Sequence, residues 1–199
     1  MSITYPLTFP THVGVRSLQI EPRTVVGVNM SQFTGDRQVQ PWPGQWLVFS
    51  VELPPMKEAN AAIWAAFFMS LNGPEGTFLL GPTVRKTPGG TIAGTVTVGA
   101  GAVANSTTLP LAGGTGAFAV GDWLQVGTGA NSRLHRVMKV NAGSVDVFPR
   151  LRTAYANGTA ITYNSPKGLF CLVAGIPGEA YDSRKLCRGI NFTAMEVVP

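Results

Sequence analysis

Apolar and polar residues alternate with a period of two along most of this chain, in short runs that read as β-strands. One stretch departs from that rule. Over residues 54–73 the apolar positions recur at helical spacing, and the sequence predicts a single α-helix over about residues 55–72. Pro54 and Pro55 suit a helix entrance, Glu58 lies where a carboxylate complements the macrodipole, and Gly73 fits a left-handed stop. Met56, Ala59, Ile63, Phe67 and Ser70 form one stripe, and Trp64 and Phe68 add an apolar pair beside it. That apolar arc is wider than one buried face needs. One side is expected to pack on the chain's own sheet; the excess is covered either by another subunit or by the interior of one large domain.

Before the helix, residues 1–12 carry Pro6 and Pro10 and read as an extended arm, expected to dock on a neighbouring subunit. Short strands follow at 14–20 and 23–30, then a corner at Pro41-Trp42-Pro43-Gly44. The strongest strand spans 46–53, with Leu47, Phe49, Val51 and Leu53 on one face and Trp46, Val48, Ser50 and Glu52 on the other. After the helix, Gly76-Thr77-Phe78-Leu79-Leu80-Gly81 reads as a short buried strand.

From about residue 87 the character changes to Gly, Thr, Ala and Val. Strands are predicted at 91–98, 106–111, 123–126, 133–140, 144–147 and 160–163, separated by glycine turns, the spacing of a small barrel or sandwich. After Pro166 the earlier style returns, with an apolar strand at 169–174 and a closing strand at 186–198. The predicted fold is therefore mainly β. Residues 1–86 and 167–199 form a barrel or sandwich domain with one helix, and residues 87–166 form a small β-barrel inserted into it with adjacent ends.

Composition sharpens this picture. Charged residues make up only 13 % of the 199, about half the usual share, while apolar residues reach 45 %. So few charges suit a protein whose surface is largely covered by neighbours. The net charge of +5 comes from scattered basic residues with no run longer than two, which argues against a dense nucleic-acid surface. Cys171 and Cys187 lack metal-ligand spacing and read as buried thiols, with a cross-strand disulfide as the lesser alternative. The N-terminus lacks signal-peptide features, no run is long enough to span a membrane, and synthesis and folding in a cytoplasm are expected.

No nucleophile elbow, zinc-protease motif or phosphate loop occurs. His12 and His135 are isolated and read as surface or interface residues, and no pair among the ten carboxylates stands out for acid–base work. The expectation is a non-enzyme without cofactor or metal.

The order of segments does resemble a family. A Trp46-Leu47-Val48-Phe49 strand precedes Pro54-Pro55-Met56-Lys57 and a helix with Ala59, Trp64 and Phe68 ending at Leu71-Asn72-Gly73; Gly76-Thr77-Phe78-Leu79-Leu80-Gly81-Pro82 follows. The insertion carries Val120-Gly121-Asp122-Trp123-Leu124-Gln125-Val126 and Phe148-Pro149-Arg150-Leu151-Arg152. Over about residues 15–192 this resembles the distal tail and related minor tail proteins of long, non-contractile-tailed bacteriophages (the siphophage tail tip). The resemblance implies a belt domain closing into a ring, commonly six-fold, at the end of the tail tube, with an outward-facing second β domain. It implies partners in other copies of itself, the tube protein, the tail hub and other tail-tip proteins, with DNA passing through unbound. The expected location is the virion tail, after assembly in the host cytoplasm. Candidate subunit-interface residues are Ile63, Trp64, Phe67 and Phe68. Alternatives are a tail-tube or tube-terminating subunit, or a host-surface glycan reader with Asp122 and Trp123 facing the ligand.

Overall fold

The computed structural model describes residues 3–198. In chain order the elements are β1 (Leu7–Thr8), β2 (Ser17–Met30), β3 (Arg37–Glu52), β4 (Met56–Lys57), α1 (Glu58–Leu71), β5 (Thr77–Leu80), β6 (Ala93–Val98), β7 (Thr108–Thr115), β8 (Trp123–Val126), β9 (Arg133–Asn141), β10 (Ser144–Phe148), β11 (Ala160–Thr162), β12 (Gly168–Leu172), β13 (Leu186–Cys187) and β14 (Asn191–Glu196). The fold is mainly β with one α-helix and two cores.

The first core lies under a six-stranded sheet ordered β1-β5-β12-β14-β3-β2. Alternation on β3 puts Leu47, Phe49 and Val51 inward, and Leu53 continues that face beyond the strand. On β14, Phe192 and Ala194 do the same, and Glu196 follows them into the interior. The helix closes this core with an aromatic cluster. Trp64 stacks on Phe68 at 5.7 Å, and Phe67 and Phe68 reach Phe78 and Phe192 edge-on.

Strands β6 to β11 form the second core. They close into a barrel ordered β10-β7-β6-β11-β8-β9, with Leu109, Leu124, Val126, Val137, Val145 and Val147 inside. Closure leaves no free edge on these short strands. Entry and exit are pinned together where Ser165 N donates to Lys86 O at 2.6 Å.

The barrel is docked onto the sheet. Trp123 and Leu134 leave the barrel wall to join the first core. Gly168 allows this approach, because a Cβ there would meet Leu134 Cβ at 2.8 Å. Hydrogen bonds cross the same seam from Leu169 N to Ser132 O and from Arg150 N to Gln45 Oε1.

Several sequence expectations are corrected. The helix starts at Glu58, because Met56 and Lys57 instead pair with Cys187 and Leu186. Its buried stripe is Ala61, Trp64, Phe67, Phe68 and Leu71, while Ala59 and Ile63 face outward. It ends at Asn72, which takes the left-handed conformation (φ 50°) one residue before Gly73. The N-terminal arm docks on its own chain. Leu7 and Thr8 pair with Phe78 and Leu79, Phe9 packs against Trp64, and Tyr5 Oη donates to Ser70 O; Met1 and Ser2 lie outside the described residues. The closing strand is split at Gly189, which lies so near the Leu53 carbonyl that a Cβ would come within 2.4 Å. Cys171 and Cys187 are free thiols.

The largest departure concerns 37–45. Pro41-Trp42-Pro43-Gly44 is no corner but part of β3, which pairs with β2 from Glu52–Ser17 to Arg37–Met30. Strand β14 covers β3 only from Val48 to Glu52, so the outer half of this hairpin is an unsupported two-stranded ribbon. The exposed part of β3, residues 37–43, extends about 24 Å at ~3.4 Å per residue.

Candidate functional site

The residues singled out in the sequence fall into three environments. Trp64 and Phe68 are fully buried and Phe67 nearly so, all within the chain's own core. They cannot form a subunit contact without unfolding the domain, which corrects that expectation for these three. Ile63 is 50 % exposed and lies on an outer helix face with Ala62, Ala66 and Met69. Ala62, Ile63, Ala66 and Met69 are exposed there, beside Glu58 and Ala59.

Asp122 and Trp123 are also buried, so neither faces a ligand. Asp122 is a clamp: its carboxylate accepts from Gly89 N (2.8 Å), Gly90 N (3.3 Å) and Ala119 N (2.8 Å), tying the entry segment to the turn before β8. Arg85 approaches it at 3.8 Å. Trp123 packs into the first core with the Arg136 guanidinium 5.3 Å from its ring.

The hairpin is the largest exposed feature. Residues 22–30 and 32–43 are all exposed, on both faces of the ribbon. Val26, Val28, Met30, Val39 and Trp42 are among them, and Phe33 at the tip is 98 % exposed. The tip is ordered by Ser31, whose Oγ accepts from Phe33 N and Thr34 N, and by a Ser31 N to Asp36 O bond. Sequence patterning located the first of these strands at 23–30 but read the second as a turn and a corner, and it could not show that no third layer covers them.

At the seam between sheet and barrel lies a buried polar cluster that the sequence did not reveal. Arg152 Nη2 donates to Glu196 Oε2 at 3.1 Å, and Leu47 N donates to the same oxygen at 3.2 Å. Glu196 Oε1 and Arg152 Nε have no partner. Burial pushes the Glu196 carboxyl above its usual range, against the opposing pull of Arg152. His135 was expected at a surface or interface but is wholly buried. Its Nδ1 lies 2.8 Å from Pro149 O, which only accepts, so Nδ1 carries the proton. Desolvation drops its pKa from 6.5 to about 4; the bond to Pro149 opposes this, and Arg152 and Arg133 add to it. The only sequence signal was weak: Glu196 and His135 share strand faces with buried apolar neighbours.

Among the described residues, no group of three or more His, Cys, Asp or Glu is placed to hold a metal ion, and no helix is long and apolar enough to cross a membrane. Compared with known proteins, the chain matches no family model and no curated relative.

Proposed function

We propose that this chain is a structural protein of a bacteriophage tail tip, whose copies close into a ring that joins the tail tube to the hub or baseplate and leaves a lumen for DNA. The segment order described above is the source of the phage assignment. The observation that carries self-assembly is the hairpin. A two-stranded ribbon has marginal stability in water, yet this one displays Val26, Val28, Met30, Val39, Trp42 and Phe33 to solvent on both faces. A neighbouring copy seated along it would cover those side chains and supply the missing layer. The outer face of the helix, with Ile63 and Met69 exposed, is a second surface of the same kind. The low charge content agrees with a surface mostly occupied by neighbours.

Mass and symmetry test this reading, by light scattering and negative-stain imaging of the purified full chain with and without purified tail tubes. A closed ring with a central hole, alone or at the tube end, is the expected result. A protein that stays monomeric and leaves tube ends bare would overturn it. An open polymer of indefinite length would point instead to a tube subunit.

A further inference from the structure

Arg133 is 8 % exposed and has no carboxylate in ion-pair contact among the described residues. Its Nη1 donates to two carbonyls, Ala130 O (3.4 Å) and Ser132 O (3.2 Å), and no other nitrogen of its guanidinium is bonded. The nearby charges do not balance it. Glu196 is taken by Arg152 and Leu47 N, and His135, with a pKa near 4, is neutral at pH 7. The cluster therefore holds two guanidinium groups against one carboxylate. A buried charge in that position is costly unless a counter-charge is supplied.

Arg133 opens on a cavity of about 470 Å³ between the β8–β9 and β10–β11 connections. Its polar lining is Thr128, Asn131, Thr153, Tyr155 and Thr159. The Tyr155 hydroxyl is buried, with the Thr153 side chain as its nearest polar influence. An arginine without a carboxylate partner thus faces a polar cavity, with the Tyr155 hydroxyl buried in its wall. The fork suits two oxygens of a phosphate or carboxylate. At ~30 Å³ per water the cavity holds roughly fifteen waters, far more than a lone oxyanion displaces.

We propose that this cavity is an oxyanion site: Arg133 binds a phosphate or carboxylate group, with room for the polar body that carries it. The same chemistry serves a free anion and one borne on a sugar. The site is independent of ring formation and would stand if that reading failed.

The test is calorimetric titration of the full chain with inorganic phosphate, glucose 6-phosphate and glucuronate, with glucose and chloride at matched ionic strength as controls. Saturable binding of the anions alone is expected, weakened about tenfold by Arg133→Gln, on the scale of one lost charge-assisted bond. Tighter binding of the sugar acids than of phosphate identifies a saccharide-borne group; equal binding identifies the free anion. Thr128→Glu places a negative charge at the exposed rim and should abolish binding even if Arg133→Gln fails to fold. No saturable binding of any anion, or unchanged binding in Thr128→Glu and in a folded Arg133→Gln, would overturn the proposal.

Discussion

Glu196 and Arg152 meet 3.1 Å apart across the seam between the sheet and the barrel, with side chains 0 % and 7 % exposed. Each comes from a different core, Glu196 from the last strand of the sheet and Arg152 from the segment after β10. Their attraction acts out of water, and so does the desolvation that opposes it. Removing one partner should therefore cost more than removing both. Arg152→Met leaves Glu196 uncompensated and is expected to lower stability by about 3 kcal/mol or more. Arg152→Met combined with Glu196→Met should recover a large part of that loss. Urea unfolding of the two variants and the native chain measures the difference; a double variant that loses as much as the single one would contradict this reading.

His135 is expected to set the acid limit of the fold. Its folded pKa of about 4 lies below the ordinary 6.5, so the unfolded chain binds more protons between those values. Stability from this group is fully present above pH 6.5 and is lost as pH falls towards 4. A shift of that size corresponds to about 3 kcal/mol. Glu196 works in the opposite sense: its raised pKa favours the folded state at low pH and costs stability as pH rises through its folded value. Replacing the histidine by asparagine, which can still donate to Pro149 O, should flatten the decline between pH 6.5 and 4. The readout is the urea midpoint at several pH values. A His135→Asn variant as acid-sensitive as the native chain would show that another group controls the limb.

Asp122 is expected to matter for folding and not for ligand recognition. Its carboxylate satisfies three backbone donors that lie near the barrel entrance. Gly90 packs tightly beside this turn: a Cβ there would sit 2.2 Å from Ala117 O. Asp122→Ala strands those donors and should cost about 3 kcal/mol, near the upper end for buried hydrogen bonds to a charge. Thermal unfolding checks it; a melting temperature within a degree of the native value would contradict the clamp.

Strand positions were legible in the sequence where one face is buried and the other is not. The barrel strand over 123–126 matches the expected bounds, and the inward faces of β3 and β14 follow the alternation of Leu47, Phe49 and Val51 and of Phe192 and Ala194. The helix was legible as an element but not in its orientation. With apolar side chains around most of its circumference, spacing alone could not choose between the Ile63 stripe and the Trp64–Phe68 stripe. The aromatic partners Phe9, Phe78 and Phe192 decide it, and they come from distant segments. The seam cluster was illegible for a similar reason. Glu196, Arg152 and Arg133 are scattered along the chain, and nothing local marks them as neighbours.

Adjacent helix residues separate folding from the proposed assembly. Trp64 touches Phe9, Phe67 and Phe68 in the core, whereas Ile63, its neighbour in sequence, points to solvent beside Ala62, Ala66 and Met69. Trp64→Ala should cost about 3–5 kcal/mol, as large-to-small changes at buried aromatics do. Ile63 is half exposed, so Ile63→Asp should cost the monomer far less than Trp64→Ala and leave it folded. If a neighbouring copy covers this face, a buried and unpaired carboxylate would destabilise the contact by several kcal/mol, and rings should be lost while the monomer stays folded. Deleting the hairpin tip over residues 30–37 and joining the strands by a short turn should do the same from the other surface, because the tip makes no contact with either core. Light scattering beside urea unfolding reads both quantities on the same samples. Rings that survive both changes would place the contacts between copies elsewhere, and a variant that loses its fold would show that these surfaces support the monomer.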